Sequence, residues 1–409
     1  MDFHGKRVGV IGTGSSAIQS IPLIAEQAAQ LYVFQRSANY SVPAGNRAWD
    51  DAARRELKAN YAERRRLSWA GGGGSPYLAH PKSALEVSEE ERQAAYEKRW
   101  QLGGVLFAKT FPDQTSNQAA NDTAREFAEA KIRQVVKDPK TADLLIPTDH
   151  PIGTKRIVTD SGYFETYNRD NVTLVDLKAT PIDRITETGI RTADAHYELD
   201  TLVFATGFDA MTGALERIRI EGRAGLTLQQ AWAEGPKTYL GLGVPGFPNL
   251  FIVTGPGSPS VLANMVLAAE QHIDWIADCL THLHQHGAQA VEATQQATQQ
   301  ATDEWVQLCR ERAAATLFPT ANSWYMGANI SGKPRVFMPF IGASAPTTRS
   351  LRRSRAPATA AFRSLMPLGV GRIRPSWRQS RPPHSPTPTR SAGDGHSPRR
   401  HCVRGPPDF

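Results

Sequence analysis

Gly12-x-Gly14-x-x-Ala17 is the spacing in this chain that points most directly to chemistry. It follows a β-branched run, Val8, Val10 and Ile11, and opens a stretch of helical spacing. In that context such a turn holds the diphosphate of a dinucleotide. Gly12 permits the tight turn, Gly14 lets the backbone approach the diphosphate, and Ala17 is small enough for helix to pack on strand. The anion then sits at a helix N-terminus, where free N–H groups and the helix dipole favour negative charge. Thr13, Ser15, Ser16 and Gln19 join them as candidate cofactor contacts. The plain alternative is a tight structural turn.

The end of the second strand decides which nucleotide fits. An NAD site places Asp or Glu there for the ribose 2′-OH, whereas this chain has Gln35-Arg36-Ser37. A guanidinium and a hydroxyl suit a 2′-phosphate, so NADP is expected over NAD. The alternative is that Arg36 is a solvated surface charge.

These residues need elements to position them. Ile18 to Gln30 has helical spacing, with Ile18, Ile21, Ile24 and Ala25 on one face, and Leu31 to Phe34 reads as the next strand. The result is a βαβ opening. Residues 45–140 are rich in Ala, Arg, Glu and Gln, and 50–66 and 121–136 suit helices, interrupted by the run Gly71 to Gly74. Strands are expected again at 171–175, 182–186 and 201–205, with another buried strand at 249–253. Helices are expected over 261–269 running on through 272–285, and over 291–315. The pattern is α/β: a Rossmann-like three-layer NADP-binding domain with a helical insertion.

Composition bounds the remaining possibilities. The 409 residues are 40% hydrophobic, enough for two domains or one large one. No apolar run approaches a membrane span. Cys279, Cys309 and Cys402 lie far apart in sequence, so no metal site and a reducing, cytoplasmic setting are expected. His282, His284 and His286 alternate, which does not put neighbours on one helix face, and they read as surface residues. From Arg349 to Phe409 there are 13 Arg, no Lys and two acids, so this tail alone carries +11 of a net +7. The rest is mildly acidic and gives no argument for binding nucleic acid. Residues 343–409 are expected to be disordered. Their Arg bias and ten Pro after Arg349 also fit a shifted reading frame in GC-rich coding sequence.

Gly5 to Ser16, Val33 to Ser37 and Tyr40 to Pro43 together resemble the NADP-binding stretch of Baeyer–Villiger flavin monooxygenases of the cyclohexanone monooxygenase type. The likeness continues through Gly153-Thr154-Lys155-Arg156, 160–165, 167–169, 204–209, 255–260, 323–329 and 332–335, and covers residues 1 to about 342. It implies that NADPH reduces FAD, that the reduced flavin takes up O₂, and that one oxygen is inserted beside a ketone carbonyl to give an ester or lactone. It implies that Arg156 is the catalytic arginine, facing the anionic oxygen that attacks the ketone. Lys155 would join Arg36 at the 2′-phosphate, and Trp324 would close over the nicotinamide. Two surface bases and an ordinary packing tryptophan are the bland alternatives. Ala205, Thr206 and Gly207 would link the nucleotide-binding domains, and 257–265, with Asn264 and Met265, would line the flavin.

The implied domains are 1–44 and 151–207 for NADP, 45–150 as the helical insertion, and 208–342 as the C-terminal half of a FAD-binding domain. The family's N-terminal FAD unit and its F-x-G-x-x-x-H-x-x-x-W signature do not occur in the sequence. A truncated chain is therefore expected, its second sheet left with an unpaired edge and its activity impaired. Other readings are an N- or S-oxidising flavin monooxygenase, an NADP-binding remnant without flavin, and a nucleic-acid binder acting through the Arg-rich tail. The ketone and the oligomeric state are not legible.

Overall fold

Val8 and Val10 are wholly buried at the centre of a four-stranded parallel sheet. A computed structural model describes residues 1–71, 73–285, 287 and 295–342, with side chains of 295–301 left aside. The tail 343–409, His286 and Cys402 lie outside the described residues. The sheet has the order β5 (Val172–Asp176), β2 (Gln30–Gln35), β1 (Arg7–Ile11), β9 (Thr201–Phe204). All three pairings are parallel, with Val10 opposite Val33 on one side and Val203 on the other. Parallel strands need crossovers that cover the faces, which is why β1 is apolar on both sides. Helix α1 (Ser15–Gln27) makes the first crossover and buries Ala17, Ile18, Ile21, Ile24 and Ala25 against the sheet. That face is the one its apolar spacing marks out.

Between β3 (Ser41–Pro43) and β4 (Val158–Asp160), which pair in parallel, the chain makes a long helical excursion. It contains α2 (Asp51–Ala59), α3 (Tyr61–Ala70), α4 (Glu89–Leu102), α5 (Gln118–Val135) and α6 (Pro139–Leu145). Its core is aromatic: Phe107 stacks on Phe127, and Tyr96 meets Phe111 edge-on. Helix α5 serves two cores. Ala124 and Phe127 face the aromatic cluster, while Ile132 packs with the α1–sheet core. Asn121 of α5 is fully buried, and its amide donates to the Gln114 and Ile152 carbonyls while accepting from the Ile152 N–H. This side chain replaces the backbone partners that an irregular loop lacks, and it fixes the segment leading to Lys155 and Arg156.

After β4 come the short helix α7 (Tyr163–Thr166) and β5, then an antiparallel three-stranded sheet of β6 (Ile182–Thr186), β7 (Gly189–Thr192) and β8 (His196–Glu198). The return strand β9 is an edge, leaving Phe204 and the following Phe208 exposed. Beyond it lie α8 (Gly213–Glu216), α9 (Leu228–Ala231), α10 (Met265–Gln285) and α11 (Gln295–Ala314).

Two expectations are corrected here. Residues 249–253 form no strand, and none occurs among the described residues after Phe204. A strand exists only when its N–H and C=O groups are paired. Here no neighbouring strand runs alongside, the Ile252 N–H reaching only the Leu242 carbonyl. Asn249 and Thr254 turn the chain with positive φ at either side. The unpaired edge expected for a second sheet therefore has no counterpart in this region. The helix expected from residue 261 begins at Met265, because Ser260–Leu262 forms a 3₁₀ turn and Asn264 caps α10 with its side chain.

His272 ties α10 to this strandless region, its Nδ1 accepting the Thr254 N–H at 3.0 Å from a side chain 1% exposed. Burial pushes its pKa from 6.5 down to about 4. The folded pKa lies below the unfolded one, so stability is fully present above pH 6.5 and is lost as pH falls towards 4. Denaturant midpoints measured across this window will fall with pH, and His272→Asn, which keeps an acceptor without the titration, will flatten that slope.

Candidate functional site

Three loops converge at the C-terminal end of the parallel sheet, where α/β folds place their ligands. The first is the turn after β1. Gly12 has φ +110°, and a Cβ there would lie 2.4 Å from the Ala205 carbonyl oxygen. The backbone after β9 thus packs directly on the turn, and only glycine fits. Gly14 is extended and stands at the N-cap of α1 without a side-chain cap. A Cβ on Gly14 would meet nothing within 4 Å, so this approach to the helix end is open. The first helical bond joins the Ile18 N–H to the Gly14 carbonyl, leaving the N–H groups of Ser15 and Ser16 outside the ladder. Thr13 steadies the turn by donating to the Ser37 carbonyl at 2.7 Å. The Gln19 amide donates to the Thr159 carbonyl at 3.2 Å.

The second loop follows β2. Arg36 is exposed and has no ion-pair or hydrogen-bond partner among the described residues. Its neighbour Gln35 is buried and donates to the Leu144 carbonyl. Asn39 reaches across to the Arg156 carbonyl, connecting this loop to the third.

That third loop, before β4, carries Lys155 and Arg156. Both line an open cavity of about 700 Å³, together with Lys109, Asn264, Phe318 and Tyr325. The Arg156 guanidinium donates to the Val261 carbonyl at 2.6 Å, and Tyr325 lies within its hydrogen-bonding reach. Lys155 faces Asp149 at 3.2 Å. Asp149 also receives a bond from His150, which with Lys155 holds its carboxyl well below the usual carboxylate range. Burial lowers the His150 pKa, so the imidazole is neutral near pH 7. Lys109 is touched by solvent at the cavity wall, yet the protein packed around it, and then the Arg156 charge, depress its ammonium pKa. Among the described residues no carboxylate lines the cavity. Its potential is positive, suited to anions and to oxygen atoms that gain negative charge during a reaction.

Of the sequence-derived candidates, the fold brings Lys155, Arg156 and Asn264 into one cavity. It gathers Gly12, Thr13, Gly14, Ser15, Ser16, Arg36, Ser37 and Ala205 at the sheet end. Thr206 and Gly207 follow Ala205 on the exposed side, Gly207 with φ +93°. Trp324 is not in the cavity wall; it packs on Tyr325, which is. Met265 is 45% exposed at the start of α10. Lys109, Phe318 and Tyr325 were not expected in the site. Lys109 sits in a helical segment without a motif, and Tyr325 lies one position from the tryptophan that the motif marks. Among the described residues there is no His/Cys/Asp/Glu group able to hold a metal, and no helix long and apolar enough to cross a membrane.

No family model matches the chain. It is 42% identical over 347 residues to a cyclohexanone 1,2-monooxygenase of an Acinetobacter species, covering 84% of this chain and 62% of that one. It is 44% identical over 343 residues to a Baeyer–Villiger monooxygenase of Pseudooceanicola batsensis, covering 83% and 61%. A solved steroid monooxygenase bound to NADP superimposes with a TM-score of 0.82 at 63% identity, covering 88% of this chain and 66% of that one. The chain thus spans just under two thirds of these relatives' length. Over the residues it shares with them, sheet, turn and basic loop included, it is similar to Baeyer–Villiger flavin monooxygenases.

Proposed function

We propose that this chain supplies the NADP-binding and substrate-facing part of an FAD- and NADPH-dependent monooxygenase that inserts one oxygen of O₂ beside a ketone carbonyl. The observation that carries the reading is the pairing of an open, glycine-lined helix end with two cations placed for different tasks, Arg36 and Arg156. In this reading residues 1–44 and 151–207 form the NADP domain, 45–150 its helical insertion, and 208–342 a contribution to the flavin domain.

The residues present fit NADP. Its diphosphate would lie on the backbone at Gly14, Ser15 and Ser16, where the helix end is uncapped and open. Its 2′-phosphate would meet Arg36 and Ser37. Lys155 would reach the same phosphate by exchanging Asp149 for it, a substitution of one anion for another at 18% side-chain exposure. For FAD, this chain offers the segment 257–265, with Asn264 and Met265 exposed at the head of α10. A flavin reduced by NADPH supplies the activated O₂ that the insertion consumes. The Arg156 guanidinium is braced by the Val261 carbonyl, so its remaining N–H groups can orient the ketone oxygen and stabilise negative charge in the cavity. Trp324, tilted against Tyr325 with ring centroids 4.3 Å apart, would adjoin the nicotinamide side of the cavity. A cytoplasmic setting agrees with Cys279 and Cys309, both buried as free thiols.

Fluorescence titration tests the NADP assignment. Arg36→Ala will weaken NADPH binding about tenfold to a hundredfold, the range of one charge-assisted hydrogen-bond set, and leave NADH binding unchanged. Gly14→Ala will keep the wild-type melting temperature, since the added methyl group touches nothing in the protein, yet lose NADPH binding. Equal losses for NADPH and NADH in Arg36→Ala would overturn the 2′-phosphate assignment. For the reaction itself, the chain incubated with FAD, NADPH and 4-phenylcyclohexanone should turn yellow and form the lactone. A colourless protein that binds NADPH and makes no lactone identifies a nucleotide-binding remnant instead.

A further inference from the structure

A second cavity, of about 430 Å³, adjoins the first and shares Leu106, Ala108, Lys109, Thr115, Leu262 and Phe318 with it. This is the size of a pocket that takes a small organic ligand. Its walls are otherwise largely apolar, with Leu78, Phe111, Pro112, Pro259, Phe340 and Ile341 contributing. Among the described residues the charged ones that line it are Arg99 and Lys109, both cations. No Asp or Glu among the described residues lines either cavity.

We infer that Lys109 and Arg99 form an anion subsite of this chamber, and that the substrate is a bulky ketone bearing a carboxylate. The ketone half of this statement rests on the proposed monooxygenase function; the anion half rests on the chamber alone. Among the described residues neither cation makes an ion pair. Lys109 Nζ donates to the Leu262 carbonyl at 3.4 Å and Arg99 to the Leu78 carbonyl at 2.9 Å. Lys109 is exposed and Arg99 half-buried, and for both the partial desolvation by the surrounding protein, with no counter-charge beside them, is a cost. The cost shows in the direction of the pKa shifts: burial lowers both groups, and Arg156 adds to the effect on Lys109. The contrast with Lys155 is informative, since that residue, on the same cavity, has Asp149 at 3.2 Å. A carboxylate entering the chamber would supply the missing counter-charge through charge-assisted hydrogen bonds, beside walls that are otherwise largely apolar. The apolar walls would hold the hydrocarbon body of the ligand. Lys109 stands where the two cavities meet, so a ligand anchored there has its far end directed into the cavity of Arg156. The NADP phosphates are accounted for elsewhere, at Gly14 and Arg36, and do not need this pair.

The test uses the full chain and three matched probes: 4-(4-oxocyclohexyl)benzoate, its methyl ester and 4-phenylcyclohexanone, with binding measured by calorimetry. The carboxylate should bind about tenfold or more tightly than the ester or the unsubstituted ketone, as one charge-assisted contact predicts. Lys109→Met should abolish that preference, the carboxylate then binding no more tightly than the ester, and Lys109→Arg should retain it. Equal binding of the three probes to the wild-type chain, absence of binding by all three, or a preference that survives Lys109→Met would each overturn the subsite. NADPH titration of the same samples separates the two readings. A chain that prefers the carboxylate and ignores NADPH keeps the anion subsite and loses the monooxygenase reading. A chain that binds NADPH and forms lactone without preferring the carboxylate loses only the subsite.

Discussion

At Gly12 the backbone runs so near the Ala205 carbonyl that a Cβ would come within 2.4 Å of its oxygen. This contact joins the turn after β1 to the segment leaving β9, though the two are far apart in sequence. It aligns the C-terminal ends of adjacent parallel strands, and with them the N-terminus of α1. The register of β1 with β2, Ile11 opposite Phe34, then places Arg36 just beyond the same sheet end. If the turn were bulkier, β9 would have to move away from β1, and the open helix end and the unpartnered guanidinium would no longer face one space.

The helical excursion supplies the other half of the site. It has its own aromatic core, yet α5 also packs on the α1–sheet core, so the insertion is anchored at two points. Asn121 carries the consequence into the loop before β4, because its buried amide satisfies both backbone groups of Ile152. Arg156 is held from three directions: by that loop, by Asn39 on its carbonyl, and by the Val261 carbonyl on its guanidinium. A side chain restrained in this way loses little freedom when a ligand arrives, which is how fixed dipoles and charges act on a reaction.

Charge is divided by task. Exposed Arg36 lies at the sheet end, where phosphate is favoured by the helix terminus too. Lys155 is balanced by Asp149, and that carboxylate lies outside the cavity lining. Arg156, Lys109 and Arg99 occupy walls that, among the described residues, hold no acidic side chain. The net −4 left to the chain once the Arg-rich tail is set aside therefore conceals a strongly positive interior surface, because composition averages over surfaces that the fold separates.

Much of the nucleotide end was legible in the sequence. Gly12, Gly14 and Ala17 at their spacing, a β-branched strand before them and a helical stripe of Ile18, Ile21, Ile24 and Ala25 after them are local facts, and local backbone preference is what a sequence encodes most directly. Arg36 could be placed for the same reason, since β2 is short and its end is marked. The cavity was not legible. Lys109 lies far in sequence from Phe318 and Tyr325, and they meet only because α5 and its Asn121 set the position of the insertion. The segment 249–253 shows the opposite limit: five residues with strand-like composition form no strand, because a strand needs a partner and no sequence pattern supplies one. The sequence by itself determined the turn, the helix that follows it and the cation at the strand end. Only the tertiary structure decided which cations keep a counter-charge and which face an apolar chamber without one, because that depends on long-range packing of segments whose own residues carry no mark of it.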